Sequence, residues 1–374
     1  LLTQINLTEL KSAIMLPEDF SNQDERFSKA FHVLSTGIGH RGFPGASVAI
    51  THQGKLVALK GLGRFTYDHD SPPVTPQTIY DLASVTKVVA TTAACMVLHE
   101  RGTFQLDQRM VSILPEFSGH DPSRHNITFR MLLAHSSGLP AYVRLFERTR
   151  NREELIEETL RLPLTTVPGS RAEYSDVGFI LLGVALERLA KQPLDQFCQR
   201  EIFSWLGLEE MTFRPPKDWK ARIPPTVDDR TFRRRIVQGE VHDENAWVMG
   251  GVAGHAGCFA TARDVAIFAE CMLHCNKHLV QPDTLQLFTR RASSPPGTSR
   301  ALGWDTPSHP SQSGKHFSSA SYGHLGYTGT SLWIDPERQL SVTLLTNRIW
   351  PDCSSQRIKR IRPAFHDAVV EALK

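Results

Sequence analysis

A serine followed three residues later by a lysine, Ser84-Val85-Thr86-Lys87, is an arrangement in this chain able to do covalent chemistry. On a helix that spacing puts hydroxyl and amine on one face. A serine hydroxyl attacks poorly until a base takes its proton, and a lysine withdrawn from water becomes a usable base because burial penalises its ammonium form. The tetrad opens an apolar run carrying Val85, Val88, Val89, Thr92, Met96 and Val97 at helical spacing, stopped by Gly102. A helix start adds unpaired N–H groups that favour a developing oxyanion. Taken alone the tetrad also has a plain reading, a cap serine before a solvated lysine.

Two later segments supply company for it. Tyr174-Ser175-Asp176 ends the loop before a helical run from Val177, so a phenol and a second polar side chain can reach one cleft. His324-Leu325-Gly326-Tyr327-Thr328-Gly329-Thr330 precedes a strand-like run, and its small residues let a substrate approach a sheet edge. Other clusters read as structural. Cys271, His274, Cys275 and His278 share a helical face, but tetrahedral metal sites usually draw ligands from separated segments, so no metal is expected there. Arg230, Arg233, Arg234 and Arg235 read as a solvated face. His135 and His255 read as hydrogen-bonded structural histidines, and His242, Asp243 and Glu244 as a rim that shapes access without joining the chemistry.

The elements that must position these groups follow from patterning. Residues 45–51 and 55–60 are apolar, β-branched runs around His52, Gln53 and Gly54, and predict a hairpin. Residues 103–235 alternate helical patterns (153–160, 177–190, 194–205) with Pro-rich loops and predict a mainly helical insertion. The Gly-rich stretch 250–257 requires a close approach of backbone and leads into a helix from Ala262. Residues 331–334 and 340–346 predict strands, and 357–373 a closing amphipathic helix, so the sheet draws on both chain ends. The expected division is 1–102 with 236–374 for the sheet part and 103–235 for the helical part.

Composition sets the outer limits. The 374 residues are 40% hydrophobic and 22% charged, which suits a compact core and argues against disorder or a coiled coil. With 42 basic and 39 acidic residues the formal charge is +3, too small to require nucleic acid or an anionic membrane. No apolar run of about 18 residues marks a membrane span. The six cysteines form no CxxC pair or regular framework, which predicts buried thiols and leans towards a reducing, cytoplasmic compartment. The chain starts Leu1-Leu2-Thr3 without Met, which leaves a removed signal peptide, and with it a periplasmic or secreted protein, open.

The three segments, in this order, resemble those of the serine β-lactamase and penicillin-binding-protein superfamily. Its class C β-lactamase-like branch, which includes family VIII carboxylesterases, muropeptide amidases and DD-peptidases, is the nearest likeness. Supporting stretches are PGASVAI at 44–50, LLAHSSGLP at 132–140, GGVAGHAG at 250–257 and GHLGYTGTSLWIDP at 323–336. The resemblance implies an α/β (α+β) fold: an antiparallel sheet flanked by helices, an inserted mainly helical domain, and a site in the crevice between them. It implies Ser84 as nucleophile, Lys87 as its proton partner and Tyr174 as general base. It puts His324 at the family's lysine-or-histidine position, with Gly326 permitting close approach and the N–H groups of Ser84 and Tyr327 forming an oxyanion hole. No cofactor is implied.

Asp176 stands where class C β-lactamases carry asparagine, and His324 where they carry lysine. An anionic Asp176 is expected to repel a drug carboxylate, and a neutral imidazole to attract it less than an ammonium. The resemblance therefore ranks a carboxylesterase or peptidoglycan-fragment hydrolase first. A true β-lactamase or D-Ala-D-Ala carboxypeptidase comes second, and a penicillin-binding sensor with negligible turnover is the reading from another class. The expected partner is a small ester, β-lactam or peptidoglycan-derived molecule; the oligomeric state is left open.

Overall fold

The computed structural model describes residues 16–274 and 279–374. Among them the strands are β1 (Gly45–His52), β2 (Lys55–Gly63), β3 (Ile79–Asp81), β4 (Thr212–Phe213), β5 (Val227–Asp229), β6 (Arg235–Val237), β7 (Cys258–Thr261), β8 (Tyr322–Leu325), β9 (Ser331–Asp335) and β10 (Leu340–Thr346). Five make one antiparallel sheet in the order β2-β1-β10-β9-β8, so strands from the two chain ends lie side by side. The β1–β2 hairpin turns at Gln53 and Gly54, both with positive φ.

Strand alternation decides what each face covers. Ala46, Val48 and Ile50 of β1, with Val342 and Leu344 of β10, pack with Phe31 and Leu34 of the helix Ser28–Gly39 and Phe365 and Val369 of the helix Ile358–Glu371. Ala49 and Leu345 belong to the opposite core, with Val265 and Phe268 of the helix Ala262–His274. Both faces are covered, which is why these strands read as apolar runs rather than as alternating ones. The second core continues without a break through Ala93–Glu100 and Asp176–Ala190. Sheet and helical part therefore share one core.

Three features differ from the expectation. The boundary placed between 235 and 236 falls inside β6, and β4 and β5 lie within the stretch expected to be helical; these strands are two or three residues long, too short to show a period. β4 also pairs with β7, which stitches the helical part to the segment after it. The helix expected from Ser84 begins as a 3₁₀ turn over Ala83–Val85 and widens to π-helical turns over Lys87–Thr92 before becoming regular at Ala93–Glu100. Widened turns of this kind are frequent at functional sites. Finally, Cys95, Cys198 and Cys258 are buried as expected, but Cys353 is exposed. Of the proposed Cys and His cluster, Cys275 and His278 lie outside the described residues. No helix among the described residues is long and apolar enough to cross a membrane.

Candidate active site

Ser84 sits on a tight elbow where β3 hands over to the helix. Ala83 has φ +47, a left-handed conformation that costs a residue with a Cβ about 1–2 kcal/mol. Asp81 holds it there: one carboxylate oxygen accepts the Ala83 N–H at 2.8 Å and the other accepts the His242 N–H at 2.6 Å. Burial lifts the Asp81 pKa to about 6 even though both N–H groups oppose the shift. The segment after β8 is tied to the same elbow, with Thr328 Oγ1 donating to the Asp81 carbonyl at 2.8 Å and Thr330 Oγ1 to the Leu82 carbonyl at 2.9 Å.

The Ser84 oxygen accepts two hydrogen bonds, from Lys87 Nζ at 3.0 Å and from the Tyr174 hydroxyl at 2.7 Å. Lys87 is fully buried and spends its other two N–H bonds on Asp176 Oδ1 at 2.6 Å and the His255 carbonyl at 2.9 Å. Burial pushes its pKa below the ordinary lysine value, while Asp176 pulls it partly back. Burial, with Asp176, drives the Tyr174 phenol well above its ordinary value, so it rests as a neutral hydroxyl. Tyr174 is placed by its neighbours: Ser175 caps the helix Asp176–Ala190 by accepting the Gly178 N–H, and the His135 ring lies 4.7 Å from the tyrosine ring. His135 Nδ1 in turn accepts the Ser175 N–H at 3.0 Å.

These groups open on a cavity of about 1080 Å³ whose wall includes Ser84, Tyr174, Asp176, His324, Gly326 and Tyr327. The sequence-predicted residues are thus brought together, yet the expectations for Asp176 and Gly326 change. Asp176 is not a bare anion facing substrate; it is paired with Lys87 Nζ at 2.6 Å, so Lys87, while protonated, offsets the repulsion expected for a carboxylate-bearing drug. His324 is buried, and burial, then Lys87 and Arg300, hold its pKa well below the ordinary value, which favours the neutral imidazole. Its Nε2 is buried without a partner, and the ring stands 6.1 Å from Tyr174. Gly326 lines the cavity, but a Cβ there would run into the Thr330 hydroxyl and the Leu82 carbonyl, so glycine is required for the loop to pack on the elbow rather than for substrate approach.

Several groups escaped the sequence reading. Arg300, on an unpatterned loop, stands with its guanidinium 5.6 Å from the centre of the Tyr174 ring. Arg348 and Arg362, both buried in the cavity wall, have no carboxylate within ion-pair distance among the described residues. Burial, then Arg348, lowers the Arg362 pKa to about 9. Asp243 and His255, read as separate rim and structural residues, form a half-buried pair at 2.8 Å, with His255 buried and Asp243 partly exposed. Their signal was distance in sequence: nothing at twelve residues' separation marks a contact. The Arg230 and Arg235 side chains are exposed and ion-paired with Asp228 and Glu240, as a solvated face would be, while Arg233 is buried against Asp229.

Comparison with known proteins places the chain in a family. The chain is 33% identical over 344 residues to the N-acetylmuramyl-L-alanine amidase of Bacillus subtilis (strain 168), covering 82% of this chain and 78% of the amidase. It is 32% identical over 344 residues to an Escherichia coli (strain K12) protein provisionally named a D-alanyl-D-alanine carboxypeptidase, covering 82% and 79%. The solved structure of EstCE1, a hydrolase with promiscuous acyltransferase activity, superposes with a TM-score of 0.75 at 21% identity over 93% of this chain and 100% of that one, which shows a shared fold. A model of the Beta-lactamase family matches residues 29–358. The chain therefore belongs to the beta-lactamase family and is a serine hydrolase built on that fold.

Proposed function

We propose that the protein hydrolyses an ester or amide by double displacement, acting as a carboxylesterase or a peptidoglycan-fragment hydrolase. The observation that carries the reading is the doubly hydrogen-bonded Ser84 oxygen on the wall of a large cavity. Ser84 attacks the carbonyl carbon, and its proton passes to the Lys87–Tyr174 pair that contacts it, the Lys87 amine 3.0 Å away being the acceptor because burial disfavours its ammonium form. Tyr174 then returns a proton to the leaving oxygen or nitrogen as the acyl-enzyme forms. Water attacks that acyl group with the same pair as base and releases the acid. The N–H groups of Ser84 and Tyr327 hold the oxyanion, and His324 stands in the cavity wall beside them. The kinship with the B. subtilis amidase supports a cell-wall fragment as the amide substrate.

A second reading, a D-Ala-D-Ala carboxypeptidase or true β-lactamase, is favoured by Arg348 and Arg362. Two buried cations without a carboxylate suit a substrate that brings its own. Initial rates on short p-nitrophenyl esters, a muramoyl peptide, a D-Ala-D-Ala peptide and nitrocefin test both. The first reading expects the ester or the muramoyl peptide to lead; a clear lead for the D-Ala-D-Ala peptide or nitrocefin would replace it with the second.

A further inference from the structure

The acyl-transfer set leaves the Gly-rich segment 250–257 and the His242-Asp243-Glu244 run without a role, yet the fold joins them behind Lys87. The Gly-rich segment threads between the helix that carries Lys87 and the helix that follows Tyr174. Thr91 Oγ1 donates to the Gly254 carbonyl at 2.6 Å, and a Cβ on Gly254 would strike the Phe179 carbonyl and come within 2.9 Å of the Gly183 nitrogen. One residue later the His255 carbonyl accepts from Lys87 Nζ. The His255 side chain, 1% exposed, turns the other way, and its Nε2 meets Asp243 Oδ1 at 2.8 Å. Asp243 is itself fixed, since the same oxygen accepts the Ala246 N–H at 2.8 Å and caps the helix Glu244–Val248.

We propose that the Asp243–His255 pair is the positioning device for Lys87. It fixes the carbonyl that takes one of the three ammonium hydrogens, and it sets a carboxylate behind the amine. Two opposed influences meet on that amine. Burial and Arg300 disfavour its charged form; Asp176 and Asp243 favour it. Tyr174 and the neutral His324 complete the groups around it. Asp243 is faced by His255 and His242, by Asp81 of β3 and by Glu244 and Tyr142. Burial opposes the ionisation of Asp243, but His255 and the Ala246 N–H overcome it, so the carboxylate keeps its charge. A lysine driven too far towards neutrality is a weak base; the pair keeps it basic and aimed at Ser84.

The test separates charge from tether. In Asp243→Asn the amide oxygen still accepts from Ala246 and His255, so only the charge is lost. In His255→Ala the carbonyl remains but its anchor is gone, and His255→Gln can restore a side-chain link to Asp243. Single-turnover acylation by a p-nitrophenyl ester is followed across pH, with active sites counted by titration and folding checked by circular dichroism. We expect the acid limb of Asp243→Asn to move to lower pH, because the ammonium loses a favourable charge. We expect His255→Ala to acylate about tenfold or more slowly per active site with KM within about twofold, and His255→Gln to recover part of the rate. The proposal rests on the Ser84 reading: an adduct away from Ser84 in the wild-type protein would sink that reading. Wild-type labelling on Ser84, with an unshifted Asp243→Asn profile and activity falling only in step with titratable sites, would sink this one.

Discussion

Replacing Asp176 by asparagine keeps a hydrogen-bond acceptor beside Lys87 and removes a charge 2.6 Å from its ammonium. With the full screening of water, two unit charges at that separation attract by about 1.6 kcal/mol, which is about one pH unit in the amine's titration. The Lys87 side chain is 0% exposed, so water screens the pair less and the shift is at least that large. The sign follows from the roles. Asp176 stabilises the protonated amine, the form that cannot accept the serine proton; without it the amine loses its proton at lower pH. The acid limb of kcat/KM for a short p-nitrophenyl ester should therefore move about one unit or more towards acid, whatever happens to the plateau. The assay is initial rate at subsaturating ester from acidic to alkaline pH, with active sites titrated in each preparation. A limb that stays in place, or moves towards alkali, would refute the assignment of Lys87 as the titrating base.

Two further outcomes follow from the same contacts. Tyr174→Phe removes one of the two hydrogen bonds to Ser84 and the hydroxyl that protonates the leaving group, and Lys87→Ala removes the base; each should lower turnover about 10²-fold or more with the circular dichroism spectrum retained. Gly254→Ala drives a methyl group into the Phe179 carbonyl and should destabilise the fold by about 1–3 kcal/mol, read as a lower midpoint in chemical denaturation; an unchanged midpoint would mean that the segment is not closely held between the two helices.

Much of this architecture is legible before folding because the strands β1, β2, β9 and β10 are apolar, β-branched runs and the long helices carry apolar residues at helical spacing. The short strands β4, β5 and β6 leave no such signal, and the expected boundary at 235/236 falls inside β6 for that reason. At the site, Ser84, Lys87, Tyr174 and His324 are visible because their residue types and order are restrictive. Charge relations were less legible. The sequence shows Asp176 as an anion, but only the fold shows that Lys87 answers it. The same holds for the Asp243–His255 pair and for Arg300, which reach the site by tertiary approach and leave no local pattern. Gly326 reads in the sequence as permitting close approach of substrate; the fold shows a different constraint, a Cβ there meeting the protein's own Thr330 hydroxyl and Leu82 carbonyl.

The central claim is that Ser84 carries the acyl group. Mixing the protein with an activated ester, quenching in acid and mapping the modified peptide by mass spectrometry tests it directly. The account predicts an acyl mass on the peptide containing Ser84 that decays as product forms, and none in Ser84→Ala. An adduct on another residue, or undiminished turnover by Ser84→Ala, would contradict it.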